Sequence, residues 1–389
     1  TVLNNLMEIA RFGLKLNARD RFVSWLPFYH DMGLVGFILV PLIGQLSVDY
    51  LSSRTFAMRP RLWLKILSDN GGTISSAPTF GYALCAKRLR PSDVASYDLS
   101  NWRAACVGAE RINPEPLQSF ADILEPCGFD QRSFVACYGL ADCVLATSFA
   151  PLGEGLKVDM VHRDLMADSG EAKPHSGDDL STSTYVDCGK LLPGFEFAII
   201  GEDGVRLDDR QCGQIFLKGP SVMSGYFKDE ESTRQLLSED GWLNTGDIGY
   251  CIGDHLVITS RSKDVIIIKG RNIWPYDLEV LAQQTGGVKL GGVAAFSVTD
   301  DSQEERAVLV VETKEKDTLE RQNIVDEIIR SIHMHFGINV LIDLTPRGTL
   351  PRTSSGKLSR SQSKQDYLAR RTLQDVEQSA ARVAESQPA

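Results

Sequence analysis

The sequence lacks any long apolar run. Its longest mostly apolar stretch, Gly33 to Gly44, falls short of the roughly 20 residues that cross a bilayer, so no transmembrane segment is expected. Basic charge is not in excess either. Lys and Arg number 41 against 51 Asp and Glu, a net charge of −10, which argues against a general nucleic-acid-binding surface. No basic segment with an apolar core and cleavage site is visible, so no secretion signal is expected. Eight cysteines are scattered at positions 85, 106, 127, 137, 143, 188, 212 and 251, with no Cys-x-x-Cys pair and none at metal spacing from a histidine. Reduced, mostly buried thiols in a cytoplasmic protein are the expectation. Internal repeats are absent.

What is present is ordinary globular composition. At 389 residues and 43% hydrophobic, the chain is long enough for two or three domains, each with its own core. Helical and short β patterns alternate in the first half: a helix over 60–67, a strand over 73–77, a helix over 80–89, a strand over 102–107 and a helix over 114–124. That alternation predicts helices packed on a mainly parallel sheet. Asp168 to Thr184 holds almost nothing apolar and reads as an exposed insertion or loop. From about 185 to 260, shorter strands and frequent turns suit a small β-rich subdomain of the larger domain, 1–260. A second, α+β domain is expected over 261–372. Its long amphipathic helix, Leu319 to Phe336, carries Ile324, Val325, Ile328, Ile329, Ile332 and Phe336 on one face and stops at Gly337. Residues 373–389 read as a polar tail.

Familiar catalytic loops can be set aside by spacing. Gly219 to Gly225 lacks the Gly-x-Ser-x-Gly of a nucleophile elbow. Thr353-Ser-Ser-Gly-Lys357 resembles the end of a phosphate loop, yet Leu358 stands where Ser or Thr is needed. His333 and His335, two apart on a helix, face different ways. There remain six polar, Gly-rich segments between apolar ones: Trp25-Leu-Pro-Phe-Tyr-His-Asp-Met-Gly33, Gly108-Ala-Glu110, Ala136-Cys-Tyr-Gly-Leu-Ala-Asp142, Gly241-Trp-Leu-Asn-Thr-Gly-Asp247, Arg261-Ser-Lys-Asp264 and Leu350-Pro-Arg-Thr-Ser-Ser-Gly-Lys357. Taken singly, each reads sooner as a turn than as a site. Together they matter more, because ligands of parallel α/β sheets bind at loops beyond the strand ends.

In this order the six segments resemble the adenylate-forming superfamily, and its fatty acyl-AMP ligase branch in particular, over residues 1–372. The resemblance implies an α/β N-terminal domain, made of a parallel-sheet subdomain and a small β-rich one, followed by a small mobile α+β domain. It also implies that the Gly-rich triphosphate loop of such proteins lies upstream of Thr1, so the chain reads as N-terminally truncated. By resemblance, Gly108, Ala109, Glu110, Tyr138, Gly139 and Leu140 form the adenine and acyl-adenylate wall. Asp247 accepts the ribose hydroxyls, with Arg261 beside it. Lys357 is the catalytic lysine, offsetting charge as carboxylate attacks phosphorus. Lys263 resembles the hinge and His30 the gate on the acyl side, with a capped loop histidine beside Asp31 as the alternative reading.

Asp142 stands where the superfamily has a Glu that contacts Mg²⁺, one methylene shorter. ATP with Mg²⁺, a fatty acid and an acyl carrier protein are the implied partners. The stretch 158–184 matches the place of an insertion typical of that branch. Two rivals stay open: a ligase using free CoA, and a degenerate member that binds without turnover. From Arg347 to Arg371, seven Lys and Arg with one Asp give a net +6 that an acidic carrier would meet favourably, or that simply solvates the end of the chain.

Overall fold

The computed structural model describes residues 1–177, 180–299, 305–353 and 356–371. It divides into two compact units, Thr1–Ser262 and Lys263–Ala389. The tail expected over 373–389 lies outside the described residues, as do Ser354 and Ser355.

In the first unit, β1 (Arg21–Ser24), β2 (Ser47–Tyr50), β3 (Ile74–Ala77), β4 (Ala104–Val107) and β5 (Phe134–Gly139) pair in parallel in the order β2-β1-β3-β4-β5. Helices follow the strands. Arg61–Asn70, Thr79–Arg88 and Pro114–Leu124 lie within two residues of the helices read from the sequence, except that Arg61–Asn70 runs three residues further. The last of these starts where its sequence says it should: Pro114 is at the first position and the Asn113 side chain accepts the Glu115 N–H at 3.1 Å. Strands β3 and β4 are buried at every residue, as a sheet covered on both faces requires. The core beneath them is aromatic. Tyr82 meets Trp63, Phe120 and Phe134 edge-on at 5.3, 5.1 and 5.4 Å, and its hydroxyl is satisfied by the Cys106 carbonyl at 3.0 Å.

The sheet then changes character without breaking. β6 (Ala146–Phe149) pairs antiparallel with β5, and β7 (Val158–His162), β8 (Thr182–Leu191), β9 (Glu196–Ile200), β10 (Gly213–Lys218), β11 (Leu243–Ile252) and β12 (His255–Arg261) continue antiparallel, in the order β6-β8-β12-β11-β10-β9 with β7 on β8. The polar stretch 168–184 is a loop in its middle, where Lys173, Pro174, Ser176 and Leu180 are exposed, but helix and strand at its ends. A helix, Arg163–Ser169, ends within it, β8 begins within it, and Ala172, Thr182 and Ser183 are buried. Backbone pairing holds it: the Ala172 N–H donates to the Arg210 carbonyl at 2.8 Å, and Val161 bridges Pro174. Its Thr and Ser side chains pack in a strand, where apolar content is a poor guide.

In the second unit, β13 (Ile266–Ile268) and β14 (Arg271–Ile273) form a hairpin whose two turn residues, Lys269 and Gly270, both have positive φ. β15 (Val288–Thr299), β16 (Glu305–Thr313) and β17 (Val340–Pro346) form a three-stranded sheet. The helix Thr318–Phe336 crosses from β16 to its parallel neighbour β17. Asp317 caps it, accepting the Leu319 and Glu320 N–H groups, and Gly337 ends it at φ 65°. Ile324, Ile328, Ile332 and Phe336, spaced by four, bury its inner face. No helix among the described residues is long and apolar enough to cross a membrane. No disulfide links the eight cysteines.

Candidate active site

In the first unit the candidate residues gather where the parallel strands end. Gly108 directly follows β4, and Tyr138 and Gly139 close β5. Both glycines are forced by the neighbouring chain. A Cβ on Gly108 would stand 2.5 Å from the Cys137 carbonyl oxygen, and one on Gly139 only 1.8 Å from that of Leu145. Their small size therefore serves strand packing, whatever else they line. Between them Ala109 is held at φ 68°, and downstream Val144 at φ 76°. A β-branched residue there is a backbone outlier, the kind of strain that collects at functional sites. Glu110 has a structural task that the sequence did not reveal: its carboxylate accepts the Phe80 N–H at 3.2 Å, in the first turn of the helix Thr79–Arg88.

Asp247 is the centre of the arrangement and is only 6% exposed. The Tyr138 hydroxyl donates to its Oδ2 at 2.7 Å, and Arg261 Nε lies 3.3 Å from its Oδ1. Asp247 and Arg261 face each other across the β11–β12 pair, so sheet register creates that contact. Upstream, Gly246 at φ 70° turns the strand, and Thr245 Oγ1 accepts the Asp247 N–H at 3.1 Å. Burial, and then the adjacent Asp247 carboxylate, push the Tyr138 phenol well above its usual range, so it remains a donor. The result is a buried carboxylate with Tyr138 on one oxygen and Arg261 near the other.

Leu140 leads into a single turn, Ala141–Cys143, that carries Asp142. Asp142 is held by a loop that sequence reasoning passed over. The Tyr226 hydroxyl donates to Asp142 Oδ1 at 2.6 Å, and the Met223 N–H to the Asp142 carbonyl at 2.7 Å. The hydrogen bond to Asp142, then burial, push the Tyr226 phenol up to about 12. The only sequence signal was proximity to the rejected Gly219–Gly225 segment; a contact 84 residues away has no local signature. Among the described residues no group of three or more His, Cys, Asp or Glu could hold a metal ion alone. A single carboxylate does fit Mg²⁺, which keeps several waters and draws further oxygens from phosphates. His30 sits at the start of the short helix Asp31–Leu34, its Nδ1 2.6 Å from Asp31 Oδ1, the same oxygen that accepts the Met32 N–H.

In the second unit, Lys263 is the first residue, in a single turn over Ser262–Asp264. Lys357 closes a tight turn: the Thr353 N–H donates to its carbonyl at 2.8 Å and Arg352 bridges Leu358. The basic stretch is less basic than its sequence count. Arg360 pairs with Glu279 and Asp264, and Arg370 with Asp343 at 2.6 Å, so three carboxylates halve the net +6.

A parallel α/β sheet whose last strand ends in a tyrosine bonded to a buried carboxylate has its candidate site where ligands of such sheets bind, beyond the strand ends. The chain belongs to the AMP-binding enzyme family, which matches residues 1–227. It is 42% identical to a putative acyl-CoA synthetase of Caulobacter vibrioides, over 95% of this chain and 64% of that protein. It is 31% identical to a medium-chain-fatty-acid–[acyl-carrier-protein] ligase of Moorena producens, over 89% of this chain and 60% of that protein. A structure from a study of fatty acyl-adenylate ligases of E. coli and L. pneumophila superposes with a TM-score of 0.90 at 43% identity, covering 96% of this chain and 66% of that one. The chain thus spans less than two thirds of the length of each.

Proposed function

We propose that this chain is the larger part of a cytoplasmic enzyme that activates a fatty acid with ATP as acyl-AMP and passes the acyl group to the phosphopantetheine thiol of an acyl carrier protein. The buried Asp247 carboxylate, steadied by Tyr138 and Arg261, is the observation that carries the reading. Two adjacent ribose hydroxyls donate to its two oxygens, and the Tyr138 ring lies against the base. Gly108, Ala109, Glu110, Gly139 and Leu140 line the same strand ends, and His30 gates the acyl side. Mg²⁺, when bound, neutralises phosphate charge, and Asp142 offers it one oxygen.

In the first half-reaction a carboxylate oxygen of the fatty acid attacks the α-phosphorus and pyrophosphate leaves. Lys357 offsets the negative charge that builds on the phosphoryl oxygens. In the second, the thiol loses its proton, its sulfur attacks the acyl carbon, and AMP leaves. Rotation at Lys263 separates the two steps. A second reading, with free CoA as acceptor, is favoured by the name of the Caulobacter relative. The test is a protein of the relatives' full length given fatty acid, ATP and Mg²⁺, with either CoA or phosphopantetheinylated carrier protein. Acyl-AMP accumulating with CoA, and thioester forming only on the carrier, supports the first reading. Efficient acyl-CoA production selects the second, and absence of fatty-acid-dependent pyrophosphate release removes both.

A further inference from the structure

The segment that bears Lys357 is anchored at both ends within the second unit. Upstream, the buried Glu312 carboxylate accepts the Gly348 and Leu350 N–H groups at 2.8 and 3.0 Å and pairs with Lys289. Downstream, three residues past Lys357, the Arg360 guanidinium forks onto Glu279. Its Nε and Nη2 each lie 2.7 Å from a carboxylate oxygen, and Nη1 reaches Asp264 Oδ2 at 3.0 Å. Glu279 is 4% exposed and fixed in turn by the Ala295 N–H at 3.0 Å. Asp264 is the neighbour of Lys263. Burial works against the Arg360 charge, yet Glu279 and Asp264 outweigh it and hold the guanidinium charged.

A planar guanidinium has donors on three nitrogens in a fixed plane, so one Arg can grip two carboxylates and fix their mutual angle. An ammonium group cannot. The first carboxylate belongs to the helix Pro275–Gln283 and the second to the turn Ser262–Asp264. Arg360 therefore joins the base of the Lys357 loop to two segments 81 and 96 residues away: a helix of the unit's core and the turn of Lys263.

We propose that Arg360 is a positioning residue for Lys357, locking the lysine's loop and the Lys263–Asp264 turn into one rigid part. Backbone rotation at Lys263 then carries the loop with its internal geometry unchanged, and Lys357 arrives preset. The proposal rests on the roles read above for Lys357 and Lys263. A merely structural arginine would behave differently: its loss would loosen the whole unit, with the helix Thr318–Phe336 opening as readily as the loop.

Hydrogen exchange of the 389-residue chain separates the two. Arg360→Gln leaves two carboxylates without their cation and risks unfolding the unit. Arg360→Lys keeps the charge and loses only the fork, so it is the deciding variant. The amides of Thr353, Lys357 and Ser359 should exchange about tenfold faster or more in Arg360→Lys, with the helix Thr318–Phe336 unchanged. Asp264→Asn, which removes the third bond alone, should loosen the Lys263–Asp264 turn in the same selective way. In a protein of full length, Arg360→Lys should lower kcat for acyl-AMP formation about tenfold and leave the KM for ATP unchanged. Loop exchange that stays at the wild-type rate, or that rises equally across the unit, overturns the proposal. A selectively loosened loop with full activity in both Arg360→Lys and Lys357→Ala overturns instead the catalytic reading of Lys357.

Discussion

Removing one oxygen atom from the first unit tests both the stability and the ligand roles assigned to Asp247. Tyr138→Phe deletes the hydroxyl that donates to Asp247 Oδ2 at 2.7 Å and leaves that buried oxygen against an apolar ring edge. A hydrogen bond to a charged group contributes about 1.5–3 kcal/mol. Arg261 will not compensate: its side chain is 58% exposed and 3.3 Å away, and exposed ion pairs are worth about 0–1 kcal/mol. A loss of about 2 kcal/mol should lower the melting temperature by roughly 4–8 °C, at about 2–4 °C per kcal/mol for a unit of this size. The assay is scanning calorimetry with and without AMP. A ligand at about 100 times its Kd adds about 2.7 kcal/mol to the folded state. Tyr138→Phe should keep most of that AMP-dependent gain, because the carboxylate is still present. Asp247→Asn should cut it to about 0.4–1.4 kcal/mol, since a neutral amide offers one acceptor in place of two and weakens binding by about 10–100-fold. Melting of Tyr138→Phe within about 1 °C of wild type would show the bond contributes nothing. An unchanged AMP shift in Asp247→Asn would refute the ribose assignment.

Lys357→Ala, in a protein of full length, should still bind ATP while acyl-AMP formation falls on the order of 10²–10³-fold, and pyrophosphate release at the wild-type rate would count against a catalytic lysine. Gly139→Ala should destabilise the first unit by about 3 kcal/mol or more, because its Cβ would lie 1.8 Å from the Leu145 carbonyl oxygen; a melting temperature equal to wild type would disprove that packing. Burial of Glu312 raises its pKa, but Lys289 and the Leu350 and Gly348 N–H groups outweigh it and hold the group below its ordinary 4.5. The stability this contributes is present above pH 4.5 and is lost as pH falls through the lowered value. Acid titration of the second unit's melting should therefore steepen below that pH, and Glu312→Gln should flatten the slope.

Local chemistry made much of this protein legible in its sequence. The helix Thr318–Phe336 follows from apolar residues four apart and a glycine behind. Pro114–Leu124 follows from its proline in the first turn, and β3 and β4 from short β patterns alternating with helical ones. The segments holding Gly108, Tyr138, Asp247 and Lys357 were legible too, because each is a polar, Gly-rich interruption between apolar elements. What those side chains touch was not. Tyr138 and Asp247 are 109 residues apart, Tyr226 and Asp142 84, Arg360 and Glu279 81, and such contacts are set by strand order and register. Two features were legible only in part for the same reason. The polar stretch 168–184 gains its order from backbone partners on other strands, and the basic end loses half its charge to Asp264, Glu279 and Asp343. Sequence fixes what a residue can do within a turn or two of its own position. Which carboxylate faces which donor across a sheet depends on how distant segments pack, and only the tertiary structure decides that.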